Sequence, residues 1–147
     1  MNIVLIAALA LQAQTPTSVD LTTAMPMTGT WGYAATATGS AATFSNATAQ
    51  PQLTLTCTRA TRRVAIARAG TVAVPFLYVW TSSTVRGVAA SFNPVTNKIS
   101  ADLSAYDPLL DALAFSRGRI GVTMGSTPPM VVPAWPEISR VVEDCRA

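Results

Sequence analysis

Two cysteines, Cys57 and Cys145, are the only thiols in this 147-residue chain. No Cys-x-x-Cys spacing is present, so a redox role for either is not suggested. Histidine is absent. That removes the commonest general base and metal ligand, and with it any Ser-His-Asp or Cys-His site built within one chain. Two thiolates alone do not make a structural zinc site. Among the seven carboxylates, Asp107 and Asp111 stand one helical turn apart and can share a face, the spacing of a paired acid and base. Helix capping by Asp107 and dipole pairing by Asp111 explain that spacing with less chemistry. Serine and threonine are abundant, but none sits in a Gly-x-Ser-x-Gly context, and no glycine-rich phosphate loop occurs. The residues imply no cofactor and no metal, and the chain reads as a non-enzyme.

Two groups are binding candidates. Arg59, Arg62 and Arg63 cluster where one strand pattern gives way to the next, and suit an anion or a glycan; a solvated, aggregation-resistant turn explains them more simply. Phe76, Tyr78 and Trp80 share one face of a strand and offer an aromatic platform, against core packing or a partner surface. Nine of the ten basic residues are arginine, and the net charge is only +3. A mild excess tolerates an anionic partner without calling for nucleic acid.

The elements that must position these residues are legible from periodicity. Residues 52–58, QLTLTCT, alternate without a break, so Leu53, Leu55 and Cys57 point one way and the threonines the other. A strand over 64–67 follows a short polar link, making a hairpin with the arginines at its tip. Upstream, Trp31 opens a short strand, Gly39 and Ser40 read as a turn, and 41–44 start a second strand. Residues 72–80, VAVPFLYVW, are apolar on both faces and suggest a central strand, but Pro75 requires an edge, a bulge or an interruption. Residues 85–92 continue as a strand, 93–97 form a turn, and 98–103 alternate with Ile99, Ala101 and Leu103 inward. The period then lengthens. Asp107 caps a helix, Pro108 fits its first turn, and Leu109, Leu110 and Leu113 form its apolar stripe, with Gly118 just past its end. Ile120, Val122 and Met124 alternate, and a turn leads to a short strand at 130–132. Trp135, Ile138, Val141, Val142 and Cys145 then recur at steps of three and four along a last helix.

Both cysteines therefore face the same core, and a disulfide between them is expected if the chain is exported; two independent buried thiols are the alternative. Residues 3–11 are apolar and too short to span a bilayer, which takes about 20 residues. They fit a signal peptide, residues 1–13, cut after Ala10 or Ala13, although no positive charge precedes them. A flexible lead-in over 14–30 and a single domain over 31–147 follow. A composition of 50% hydrophobic and 12% charged residues argues against disorder of the whole chain.

The order of features is similar to small periplasmic proteins of the type VI secretion accessory (VasI-like) family. They are a signal peptide, a Trp-led first strand, Leu-x-Leu-x-Cys on a hairpin, a Leu-rich short helix feeding a strand, and a terminal Trp-x-x-Ile-x-x-Val-Val-x-x-Cys helix. The resemblance covers about residues 31–146 and implies a non-enzymatic envelope or secretion-accessory protein. The expectation is thus an α+β fold: an antiparallel sheet with two short helices, the C-terminal one tied to the sheet by a disulfide. The expected role is an exported, periplasmic or secreted, non-catalytic binding or accessory protein of the bacterial cell envelope. Its partner would be another envelope protein, with no nucleic acid and no membrane span after signal cleavage. An anion- or glycan-binding module through the arginines, and a hydrolase using Asp107 and Asp111, are the alternatives.

Overall fold

Short runs in which threonine or alanine alternates with a larger apolar residue make strands with one buried and one wet face. The computed structural model describes residues 18–147; the expected signal peptide lies outside the described residues. The strands are β1 (Gly29–Thr36), β2 (Gly39–Asn46), β3 (Pro51–Thr58), β4 (Arg63–Ala69), β5 (Phe76–Trp80), β6 (Val85–Asn93), β7 (Lys98–Ser104), β8 (Arg119–Thr123) and β9 (Met130–Pro133). Helix α1 (Pro108–Ala114) links β7 to β8, and α2 (Pro136–Arg146) ends the chain. The order across the sheet is β1-β2-β3-β4-β7-β6-β5-β8-β9, and every pairing is antiparallel. The fold is α+β but dominated by its sheet.

The sheet curls until its edges meet at one end. The Met27 amide, just before β1, donates to the Val131 carbonyl of β9 at 2.8 Å, and Trp31 Nε1 donates to the Pro133 carbonyl at 2.7 Å. With antiparallel steps throughout, β1 and β9 run in the same direction. β9 stops at Pro133 and the chain turns into α2, while β1 continues to Thr36. The seam between them is closed only at its start.

The buried faces are those that the alternation assigns. Leu53, Leu55 and Cys57 on β3 lie opposite Val64 and Ile66 on β4, and Ile99, Ala101 and Leu103 on β7 extend the same layer. Helix α2 lays Ile138, Val141, Val142 and Cys145 onto the inner face of β1–β4 and against α1, whose Leu109, Leu110 and Leu113 are buried. Asp107 is the N-cap of α1 and accepts from the Leu109 amide, with Pro108 following it.

Four expectations change. Gly39 and Ser40 are not the turn; residues 37–38 are, and both lie in β2 opposite Thr58 and Cys57. Gly39 is glycine because a Cβ there would come within 2.2 Å of the Cys57 carbonyl oxygen on the neighbouring strand. Gly118 has φ +75°, but Phe115 is the C-cap of α1, and the glycine serves the approach to β8. Trp135 fits the helical step, yet it precedes α2 as its N-cap and is 40% exposed, off the buried stripe. Of the lead-in expected over 14–30, residues 29–30 belong to β1, and 18–28 are tied to the body by Met27 and by Arg119 Nη1, which donates to the Leu21 and Thr22 carbonyls at 2.8 and 3.0 Å. Such backbone contacts leave no trace in side-chain periodicity. Of the options for Pro75, interruption is the one adopted: β5 begins at Phe76, inside the sheet between β6 and β8.

Candidate functional site

Cys57 and Cys145 are joined, with Cα atoms 5.5 Å apart and a sequence separation of 88. Both are fully buried. The residues on either side of Cys145 add polar ties. Asp144 Oδ2 accepts from the Tyr33 hydroxyl of β1 at 2.5 Å. That bond, with the Arg59 and Arg140 charges nearby, holds the Asp144 carboxyl below its ordinary range. Arg146 donates to the Ala105 carbonyl at 2.7 Å and to Asp111 Oδ1 at 2.8 Å.

The three tip arginines join this belt. Arg59 stands 3.9 Å from Asp144 with its side chain largely in solvent. Arg62 Nη1 donates to the Tyr106 hydroxyl at 2.7 Å and to the Arg146 carbonyl at 3.0 Å. Arg63 pairs with the Asp102 carboxylate across β4 and β7 and donates to the Asp102 carbonyl at 3.1 Å. Their guanidiniums point to three different partners and do not converge on one anion.

The two carboxylates read as a possible acid–base pair also part company. Asp107 takes both of its oxygens to Arg86 Nη2 at 2.8 Å, while Asp111 faces Arg146. Hydrogen bonding from Arg86 lowers the Asp107 pKa, with the Leu109 amide adding to it. A general acid needs the opposite, a carboxyl that keeps its proton near the working pH. The geometry is that of a helix cap locked to β6.

Phe76, Tyr78 and Trp80 do share a face, and it is the outer one. Leu77 and Val79 between them are completely buried. A strand apolar on both sides gives no periodic cue to which side is the core. Phe76 is 44% exposed, and its ring lies 6.2 Å from that of Tyr78 at 50°. Tyr78 sits opposite Gly87 of β6, where a Cβ would approach its ring to 2.9 Å. Gly87 thus leaves room for the tyrosine to lie across the ladder. Trp80 Nε1 donates to Thr123 Oγ1 of β8 at 3.0 Å. Ala89 faces Phe76 and Val85 faces Trp80, so β6 lends the row only small or apolar neighbours. Comparison with models of known protein families, with curated proteins and with solved structures finds no match to the chain.

Sequence reasoning missed two features. Arg68 of β4 reaches inward and donates to the Val122 carbonyl of β8 at 3.1 Å, and burial lowers its pKa. Its even-numbered position beside Val64 and Ile66 was the available signal. The second is a trough of about 710 Å³ on the outer face of β1 and β2, lined by Thr30, Gly32, Ala34, Ala41, Thr43 and Ser45 among others. Among the described residues, no group of three His, Cys, Asp or Glu gathers as a metal site, and no helix is long and apolar enough to cross a membrane.

Proposed function

We propose that the chain is an exported, non-catalytic binding or accessory protein of the bacterial cell envelope, which engages a partner protein through the outer face of β5. The observation that carries this reading is the direction of the aromatic row. Rings that would ordinarily be core material lie on the outer side of the sheet, Phe76 exposed and Tyr78 and Trp80 half-buried, while Leu77 and Val79 take the buried side. Aromatic rings contribute large contact area with few rotatable bonds, which suits the centre of a protein interface. The Cys57–Cys145 bond supports an oxidising compartment, where disulfides persist.

Site-specific photocrosslinking in producing cells tests the proposal. A benzophenone amino acid in place of Phe76 should yield a discrete adduct with one envelope protein. The same group in place of Val95, which is 90% exposed on the β6–β7 turn, should not. Equal adducts from both positions, or none from position 76, would remove the β5 face as the contact surface.

A further inference from the structure

β1 is an edge strand of unusual composition. Edge strands are commonly guarded by lysine, proline, a bulge or short length. The opposite edge, β9, is four residues long and ends in proline. β1 is eight residues long, GTWGYAAT, with neither charge nor proline.

The phase of its hydrogen bonds is fixed. The Arg59 amide donates to the Thr38 carbonyl, so Thr38 faces β3 and Gly39 faces β1. Across the two-residue turn, Thr36 and Gly39 therefore exchange bonds, as do Ala34 with Ala41, and Gly32 with Thr43. The amides and carbonyls of Trp31, Tyr33 and Ala35 point the other way, toward the seam. Met27 is in the same phase, and its amide is the one taken by Val131 of β9. Beyond Trp31 there is no β9 left to pair with. The Tyr33 and Ala35 groups have no backbone partner among the described residues.

Beside this opening lies the trough. Its floor is Gly32, where an added Cβ would meet nothing within 4 Å, and no charged side chain lines it. We propose that the open part of the seam receives an extended segment of another protein, which adds a strand to β1. Its alternate side chains, bulky and uncharged, lie over the trough. Main-chain bonds to Tyr33 and Ala35 supply register, and the trough supplies selectivity. A second copy pairing through its own β1 would bring only Thr30, Gly32 and Ala34 to that face and leave the trough empty. This surface is separate from the β5 row and does not depend on it.

The test uses the full chain and labelled peptides about nine residues long, matched to β1, with valine, leucine or phenylalanine alternating with threonine. At least one should bind saturably by fluorescence anisotropy, and its form N-methylated at alternate amides should not. Ala35→Pro removes an amide that the β1–β2 ladder does not use, and should weaken binding by about tenfold or more. Gly32→Phe fills the trough from a position with free space, and should also weaken it while the circular dichroism and melting temperature stay as in the parent. The unliganded chain should sediment as a monomer. Failure of every peptide, binding that survives both substitutions, or a dimer that Ala35→Pro dissociates would each overturn the proposal.

Discussion

The two halves of the curled sheet are held by different means. β1–β4 lie beneath α2, and the last residues of the chain fasten that helix down: Asp144 to Tyr33 of β1, Cys145 to Cys57 of β3, Arg146 to Asp111 of α1. β5, β6, β8 and β9 have ladder bonds, an interior of Leu77, Val79, Ile120, Val122 and Val132, and the Arg86–Asp107 pair that ties β6 to the start of α1. A half fastened by its tail can leave its edge strand open without fraying. A half held without a covalent tie must commit one face to the core, and the aromatics of β5 then occupy the other. The comparison assigns the stability of the first half to a covalent tie and that of the second to contacts.

Cutting the tie should have the largest effect. Cys145→Ser opens the loop closed across a sequence separation of 88, worth about 4–5 kcal/mol in the chain-entropy account. Thermal unfolding should show a large fall in melting temperature, matched by adding reductant to the parent chain. Native-state hydrogen exchange sharpens the comparison: protection in α2 and β1–β3 should fall well before protection in β5 and β8. An even loss across the sheet would mean that the halves are one cooperative unit.

Much of this architecture was legible in the sequence, for a physical reason. Where one face is wet and the other dry, period maps directly to burial. Leu53, Leu55 and Cys57, the row Ile99, Ala101 and Leu103, and the stripe from Ile138 to Cys145 all follow that rule, so the disulfide could be foreseen. What stayed hidden depends on neighbours distant in sequence. The pairing of β4 with β7 and of β5 with β8 joins strands that are not consecutive, and the meeting of the two edges rests on the Met27 amide. Gly39 looked like a turn because the carbonyl that forbids a side chain there belongs to Cys57. For the candidate sites, residue type was legible and commitment was not. Nothing near Asp107 in sequence announces Arg86, and nothing near Arg62 announces Tyr106.

Asp107→Ala probes the second half and should have a middling effect. It removes the side-chain cap of α1 and the partner of Arg86, and should cost about 1–2 kcal/mol in chemical denaturation. The pH dependence follows from the lowered pKa of this carboxyl. A depressed folded-state pKa stabilises the fold above the ordinary carboxylate value, about 4, and that contribution is lost as pH falls through the folded value. The gap between parent and variant should therefore be level at neutral pH and close in acid. A gap that persists unchanged at the acid end would show that the cost came from packing around the cap rather than from the charged carboxylate.

The smallest effect should come from Arg63→Gln, and it tests whether the first half owes its stability to the tie or to the charges around it. Arg63 lies on β4, paired with Cys57's neighbour Thr58 across the hairpin and ion-paired with Asp102 on β7. Both side chains of that ion pair are about half exposed, at 45% and 54%. Water screens such a pair and holding both side chains costs entropy, so its net contribution is about 0.2–1 kcal/mol. Glutamine keeps the length and much of the packing of the stem while removing the charge. The shift in denaturation midpoint should be small, and should vanish at high salt, where the parent's own pair is already screened. If Arg63→Gln instead lowered stability by as much as opening the disulfide, the charged belt would be the structure that holds α2, and the division of the sheet into a tied half and a packed half would fail.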